Sequence, residues 1–407
     1  MITGVLIFVI SYILISARRL GWLALDRPAG ALLGALACVA FGVLTPNQAL
    51  AAVDSHTILL LFGMMGMGAF LALDGFFERA ADLLSQKART PKRLLGILIW
   101  TVGPLSALIT NDAVCILCAP LVVGLIKRHR LSPLPFLLAL ASAANTGSVA
   151  TLVGNPQNML CANLGGLSYR VYLLHMLPVA IVSLAINHLL LRILFRKSLC
   201  GELEATSESV RVITKRTAVA LSVIGGTVIL YMFGADLAWT SVGGCIVLLL
   251  VLRTEPNQIW QRIDWSVLLF FAGLFVLVEG FVRSGATTWL FQQFPLWPNN
   301  NDFGWLRLSA IFLIGSNIVS NVPFILVVRD QMFTLPNPTM GWELLAMAST
   351  FAGNLTFLGS VANIIVAEKS TEVGGFGFWD YLRLGLPLAL ITTLLGTLWF
   401  MLLYSNQ

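Results

Sequence analysis

Apolar stretches long enough to cross a bilayer constrain this chain more than any other feature. They fall near 2–17, 29–45, 57–74, 135–163, 174–195, 217–234, 238–253, 265–283, 342–367 and 384–403. A hydrocarbon core about 30 Å thick takes about 20 helical residues, and hydrocarbon leaves no backbone group unpaired, so such stretches must be helices. With 57% hydrophobic and 11% charged residues, the chain has too little polar surface to fold alone in water. The expected class is an all-α polytopic membrane protein with the lipid bilayer as its main partner. The first apolar run lacks a basic segment before it and is followed by Arg18 and Arg19, which reads as a retained span and not a cleaved signal peptide.

Two further stretches, 94–126 and 304–329, behave differently. The first is interrupted by Pro104, by Thr110-Asn111-Asp112 and by Pro120, and it is flanked on both sides by Lys and Arg: Lys87, Arg89, Lys92 and Arg93 before, Lys127, Arg128 and Arg130 after. Basic flanks stay cytoplasmic, so the chain enters and leaves on one side, as a re-entrant helical hairpin does. The second stretch fits either a hairpin or one tilted span by length alone. With both as hairpins and both termini outside, only Arg170, Arg283, Arg307 and Arg329 of the 25 Lys and Arg lie outside. The net charge of +6 therefore reads as membrane topology and not as a nucleic-acid surface.

An internal repeat favours the second hairpin. TPNQALAAVD (45–54) aligns with EPNQIWQRID (255–264), Gly63 with Gly273, Gly75 with Gly285, and ITNDAVCIL (109–117) with VSNVPFILV (319–327), each pair 210 positions apart. The spacing becomes 205 where TLVGNPQNML (151–160) meets TFLGSVANII (356–365), and 209 where Pro178 meets Pro387. The expected organisation is a first repeat over 1–200 (hairpin 94–126, broken helix 135–163), a cytoplasmic linker over 201–216, and a second repeat over 217–407 (hairpin 304–329, broken helix 342–367). Five spans and one hairpin per repeat give an odd number of crossings, so the two are inverted. Inverted repeats with interrupted helices near the midplane belong to secondary transporters.

The interruptions are the candidate site. Broken backbone persists at membrane depth only where it is buried in protein or lines a wet cavity. Four such places occur, in two matched pairs: Thr110-Asn111-Asp112 with Ser320-Asn321-Val322-Pro323, and Gly154-Asn155-Pro156-Gln157-Asn158 with Gly359-Ser360 and Asn363. Carbonyl and amide oxygens suit a desolvated cation, whereas exposed N–H groups at helix N-termini suit an anion. The candidate substrate- and ion-binding residues are thus Thr110, Asn111, Asp112, Gly154, Asn155, Pro156, Asn158, Ser320, Asn321, Gly359, Ser360 and Asn363. Asp112 is the expected coupling group, since an intramembrane carboxylate is costly, and a sodium ion could sit at Asn111, Asp112 and Asn155. Asn111 as a plain helix cap and Asp112 as a buried structural acid are the competing readings.

Other features read as structural. Glu279, near the outer end of a span, is expected to snorkel to the interface. Cys115 and Cys118 form a C-x-x-C on an apolar arm and read as packing. His56, His129, His175 and His188 have no metal-ligand spacing, and GMMGMGAF (63–70) reads as close helix packing. No nucleotide loop, metal motif or nucleophile constellation is present. No enzyme activity and no cofactor are expected.

At ITNDAVCILCAP, SAANTGSVATLVGNPQN and SNIVSNVPFILVV the chain resembles the ion transporter superfamily, in the group of arsenite permeases, bacterial sodium/proton antiporters, citrate-type permeases and silicic-acid exporters. The arsenite and silicic-acid branch is the most similar in these motifs. The resemblance implies hairpins that meet broken helices, a scaffold and a moving transport part, elevator-like alternation, commonly a homodimer, and a bacterial-type inner (plasma) membrane. It implies ion-coupled transport of a small oxyanion or weak oxyacid, with proton or sodium as the coupling ion. A sodium/proton antiporter, a sodium-coupled carboxylate transporter and a passive channel are the alternatives. Dicarboxylate relatives carry Ser-Asn-Thr at both tips, where this chain has Thr110-Asn111-Asp112 and Ser320-Asn321-Val322, and the second break lacks the Pro of the first.

Overall fold

The computed structural model describes residues 1–16, 26–203, 212–297 and 303–405, and among these the regular structure is helical. Arg18, Arg19 and the middle of the expected linker, 204–211, lie outside the described residues. The first ten helices are α1 (Ile2–Ser16), α2 (Arg27–Ala40), α3 (Pro46–Ala52), α4 (Ser55–Leu73), α5 (Phe76–Lys87), α6 (Pro91–Leu108), α7 (Asn111–Arg128), α8 (Pro133–Ser148), α9 (Pro156–Gly165) and α10 (Tyr169–Leu194). The next ten are α11 (Lys215–Met232), α12 (Leu237–Leu252), α13 (Pro256–Trp260), α14 (Trp265–Arg283), α15 (Ala286–Gln293), α16 (Gly304–Val319), α17 (Asn321–Met332), α18 (Pro338–Leu355), α19 (Val361–Lys369) and α20 (Phe378–Tyr404). Five of them, α4, α10, α11, α14 and α20, are long and apolar enough to cross a membrane.

Local signals place the boundaries. Asp54 accepts from the Thr57 N–H and Asp264 from the Val267 N–H, capping α4 and α14 at positions 210 apart. TPNQ and EPNQ put Pro at the first position of the short helices α3 and α13. The second stretch of uncertain type is two helices, α16 and α17, joined at Ser320. Two helices were not legible beforehand: α5, with Arg79, Asp82 and Lys87 among its apolar residues, and the shorter α15.

The helices form two packed groups. In one, α2 packs on α14 and α4 on α12, with α1 and α11 alongside. Close approach there depends on missing side chains: a Cβ on Gly63 would lie 2.5 Å from the Ser241 backbone carbon, and one on Gly273 2.9 Å from that of Ala31. In the other group, α8 and α18 are the central helices, buried throughout Pro135–Ser148 and Met340–Asn354, with α6, α7, α10, α16, α17, α19 and α20 around them. Both carry polar residues as well, among them Asn145 and Thr350, which at such a centre must find hydrogen-bond partners on neighbouring helices. Exposed Leu, Ile, Val and Trp side chains on α10, α12 and α20 face outward, where lipid is the matching solvent.

One expectation is corrected. Glu279 does not snorkel: it is 8% exposed and accepts from Arg283 Nε at 2.6 Å and Arg329 Nη2 at 2.8 Å. Arg329, on α17, comes from the neighbouring group of helices, so tertiary packing supplies the partner that lets the acid stay buried. The six cysteines are free, five of them buried.

Candidate functional site

Both hairpins turn on one strained residue. Thr110 has φ 88° and Ser320 φ 70°, a region that a residue with a Cβ rarely adopts, at a cost of about 1–3 kcal/mol each. Each turn leaves an Asn as the first helical residue after it, Asn111 on α7 and Asn321 on α17. The first tip is tied to the first break, the Asn111 N–H donating to the Gly154 carbonyl at 2.9 Å.

The breaks between α8 and α9 and between α18 and α19 are held by one bonding scheme used twice. Asn158 Nδ2 donates to the carbonyls of Ser148 (3.2 Å) and Thr151 (2.9 Å); 205 positions on, Asn363 Nδ2 donates to those of Gly353 (2.8 Å) and Thr356 (3.2 Å). The two halves then cross. Thr350 Oγ1 donates to Asn158 Oδ1 at 2.9 Å, and its counterpart Asn145 Nδ2 donates to Asn363 Oδ1 at 2.9 Å. Gly154 and Gly359 are required for closeness: a Cβ on the first would land on the Ser148 carbonyl, and one on the second would lie 2.5 Å from the Ala352 oxygen.

This network fixes which way an amide at the first tip points. The carbonyls of Gly353 and Thr356 only accept, so Asn363 turns its Nδ2 to them and its Oδ1 to Asn145 Nδ2. Asn145 Oδ1 then accepts from Ser360 Oγ (2.9 Å) and from Asn111 Nδ2 (3.0 Å). Among the described residues Asn111 Oδ1 is left buried with no partner, and Asn321 Oδ1 at the second tip is buried without one as well. A buried acceptor without a donor costs about 1–3 kcal/mol.

Both orphan oxygens belong to residues that line one cavity of about 170 Å³. Its wall also includes Asp112, Pro156, Gln157, Asn317, Ser320, Gly359 and Ser360, so both tips and both breaks meet there; Arg27, Tyr12 and Phe271 close it from the other helix group. A second cavity, of about 280 Å³, is lined by Thr110, Asp112, Pro156 and residues of α4 together with Gln261, Arg262 and Asp264. Asp112, in the first turn of α7, borders both.

Of the twelve sequence candidates, Asn111, Asp112, Pro156, Ser320, Asn321, Gly359 and Ser360 reach the first cavity, and Thr110 the second. Gly154, Asn155, Asn158 and Asn363 line neither: Asn155 Oδ1 accepts from the Asn158 N–H, and its Nδ2 donates to Ser148 and Thr350. A sodium ion on Asn111, Asp112 and Asn155 is therefore not supported by a shared cavity. Among the described residues no cluster of three His, Cys, Asp or Glu could hold a metal. Sequence reasoning missed Asn145, Thr350 and Arg27. The first two match at the 205 spacing and were findable from it; Arg27 carried no motif.

Two helical hairpins and two helix breaks around an internal polar cavity, wrapped in lipid-facing helices, define an integral membrane transporter. The chain belongs to the CitMHS citrate transporter family, which matches residues 12–352, and it is a secondary transporter of that family. It is 30% identical to the silicon efflux transporter LSI3 of Oryza sativa subsp. japonica over 97% of this chain and 96% of that one. It is 26% identical to arsB of Dictyostelium discoideum, named as a transporter, over 96% and 90%. Its fold is similar to that of the Alcanivorax borkumensis YdaH transporter, with a TM-score of 0.56 at 16% identity over 98% of this chain and 96% of that one.

Proposed function

We propose that this protein exports a small weak oxyacid, arsenite- or silicate-like, in exchange for an entering proton or sodium ion. The observation that carries this is the 170 Å³ cavity bordered by Asn111, Asp112 and Asn321, two of whose amide oxygens, Asn111 Oδ1 and Asn321 Oδ1, have no partner among the described residues. An orphan acceptor calls for a donor, and an undissociated oxyacid presents O–H donors in several directions. A fully ionised oxyanion would set its own acceptors against those oxygens. The volume equals about five or six waters at about 30 Å³ each and is smaller than the roughly 300–1,000 Å³ pockets of larger ligands. That favours a compact solute over citrate. The similarity to a silicon efflux transporter supports the same reading.

Asp112 is the coupling group in this proposal. One charge moving inward gains about 2.3 kcal/mol per 100 mV, roughly a fiftyfold solute gradient. The two halves, 1–200 and 217–407, are inverted repeats, supported by bonding schemes that recur at a spacing of 205. Helices α6–α10 with α16–α20 form the moving part of an elevator, and α1–α4 with α11–α14 the scaffold. The protein works as a homodimer in a bacterial-type inner membrane without a bound cofactor, its termini outside. Ion pairs that join segments assigned to the cytoplasm, Arg128 with Asp82 and Lys127 with Glu372, support that topology.

The test is arsenite or germanic-acid uptake into everted vesicles under an imposed pH or sodium gradient. Gradient-driven accumulation that loses its pH or sodium dependence in Asp112→Asn is expected. Sodium-driven proton release with no oxyacid present would instead mark a sodium/proton antiporter, a reading favoured by Asp112 lining the same cavity as Asn111 and Asn321. Flux without trans-stimulation would mark a channel.

A further inference from the structure

The second cavity is bordered by the same carboxylate as the first, Asp112. Thr110, Asp112, Ala113, Ile116 and Leu117 of the first hairpin form one wall; α4 supplies an apolar wall that includes Met65, Ala69 and Ala72; the segment after α13 supplies Gln261, Arg262 and Asp264. None of the second-hairpin or second-break residues that line the solute cavity lines this one. Asp112 can thus be approached from two sides.

We propose that the second cavity is a proton path separate from the solute chamber, with Asp264 as the carboxylate that exchanges protons with Asp112. This rests on Asp112 being the coupling group. The volume of about 280 Å³ holds roughly nine waters at about 30 Å³ each, enough to bridge two carboxylates. The walls are apolar except near the two acids, so a water chain has few side chains to divert it. Asp264 is half-buried, and its Oδ1 accepts from the Val267 N–H at 3.3 Å as the cap of α14, which holds the carboxylate in place. In the transfer the Asp112 O–H bond breaks, Asp112 is left as a carboxylate, and the proton passes along water to an oxygen of Asp264, which then releases it to bulk water. The charged and titratable groups facing Asp112 are Asp264 and Arg262 across this cavity, Arg27 and Tyr12 across the solute cavity, and Cys115 on its own helix. The separation would let a proton leave Asp112 while the chamber is occupied.

The test is a pH jump on the full-length protein in lipid nanodiscs, followed through the infrared band of protonated Asp112, assigned by its loss in Asp112→Asn. Asp264→Asn is expected to slow protonation and deprotonation at least tenfold without changing the final amplitude, and Asp264→Glu to restore the rate. Asn also caps helices well, so the fold should be kept. Should Asp264→Asn fail to fold, Ala72→Leu, which fills the cavity from the opposite wall, is expected to slow the band similarly. An unchanged rate in the folded variants overturns the path and leaves the transport reading standing. Absence of any Asp112 band sinks the coupling role itself and the path with it.

Discussion

Asn145 of α8 donates from Nδ2 to the side-chain oxygen of Asn363 on α19 at 2.9 Å, joining residues 218 positions apart in two fully buried amides. That bond is one link of the chain that leaves Asn111 Oδ1 free, so its loss should be felt in stability and at the site together. Asn145→Ala removes the donor from Asn363 Oδ1 and the acceptor from Asn111 Nδ2 and Ser360 Oγ, while the Gly353 carbonyl keeps its bond from Asn363 Nδ2. A loss of about 1–3 kcal/mol for each stranded buried group is expected, seen as a lower melting temperature in detergent. Asn145→Asp is expected to fare no better, because it puts an acceptor opposite Asn363 Oδ1.

The two break glycines make a sharper prediction. Gly154→Ala and Gly359→Ala force a Cβ against backbone carbonyls that cannot move without bending α8 or α18. Both variants should lose transport and folded yield. Gly124→Ala, where an added Cβ meets nothing within 4 Å, is the control and should behave as the parent.

Glu279 has two arginine partners, and redundancy governs what their removal does. Arg329→Ala leaves Arg283 in place and should cost about 1 kcal/mol, within the range of a partly exposed pair. Removing Arg283 and Arg329 together strands a buried carboxylate and should cost about 3–5 kcal/mol. Melting of the two single variants and the double variant measures the non-additivity; additive small losses would contradict the buried-pair account.

Asp74 predicts an acid limb to stability. It follows α4, outside the crossing stretch Ser55–Leu73. Partial burial pushes its carboxyl up, but hydrogen bonds from Thr214 and Thr217 and the charge of Arg79 outweigh this and hold it below the ordinary value of 3.8. A depressed carboxyl contributes stability that is present above its unfolded value and lost as pH falls through the folded one. Melting temperature should therefore drop below about pH 4 in the parent, and Asp74→Asn should flatten that limb while lowering the plateau at neutral pH.

Class and much of the site could be read along the chain because they rest on local or repeated signals. Apolar runs require helices in hydrocarbon; Gly-Asn-Pro inside one marks a break; and the spacings of 210 and 205 match the tips and breaks in pairs. Asn145 and Thr350 were within reach of the same comparison, since they stand 205 apart.

The sequence by itself determined that this protein lives in a bilayer, that its helices break at four polar places, and which residues stand there, because backbone pairing in hydrocarbon admits few alternatives. Only the tertiary structure decided which amides are spent and which are free. Asn158 and Asn363 close the breaks by donating to backbone carbonyls and Asn155 by donating to the Ser148 and Thr350 hydroxyls, whereas Asn111 and Asn321, on the cavity wall, each have an Oδ1 with no partner among the described residues. Hydrogen bonding is satisfied in space and not in sequence, so the same residue type takes one role at the breaks and the opposite role at the hairpin tips. For the same reason Glu279 looked like a surface acid until Arg329, 50 positions away, came to rest beside it.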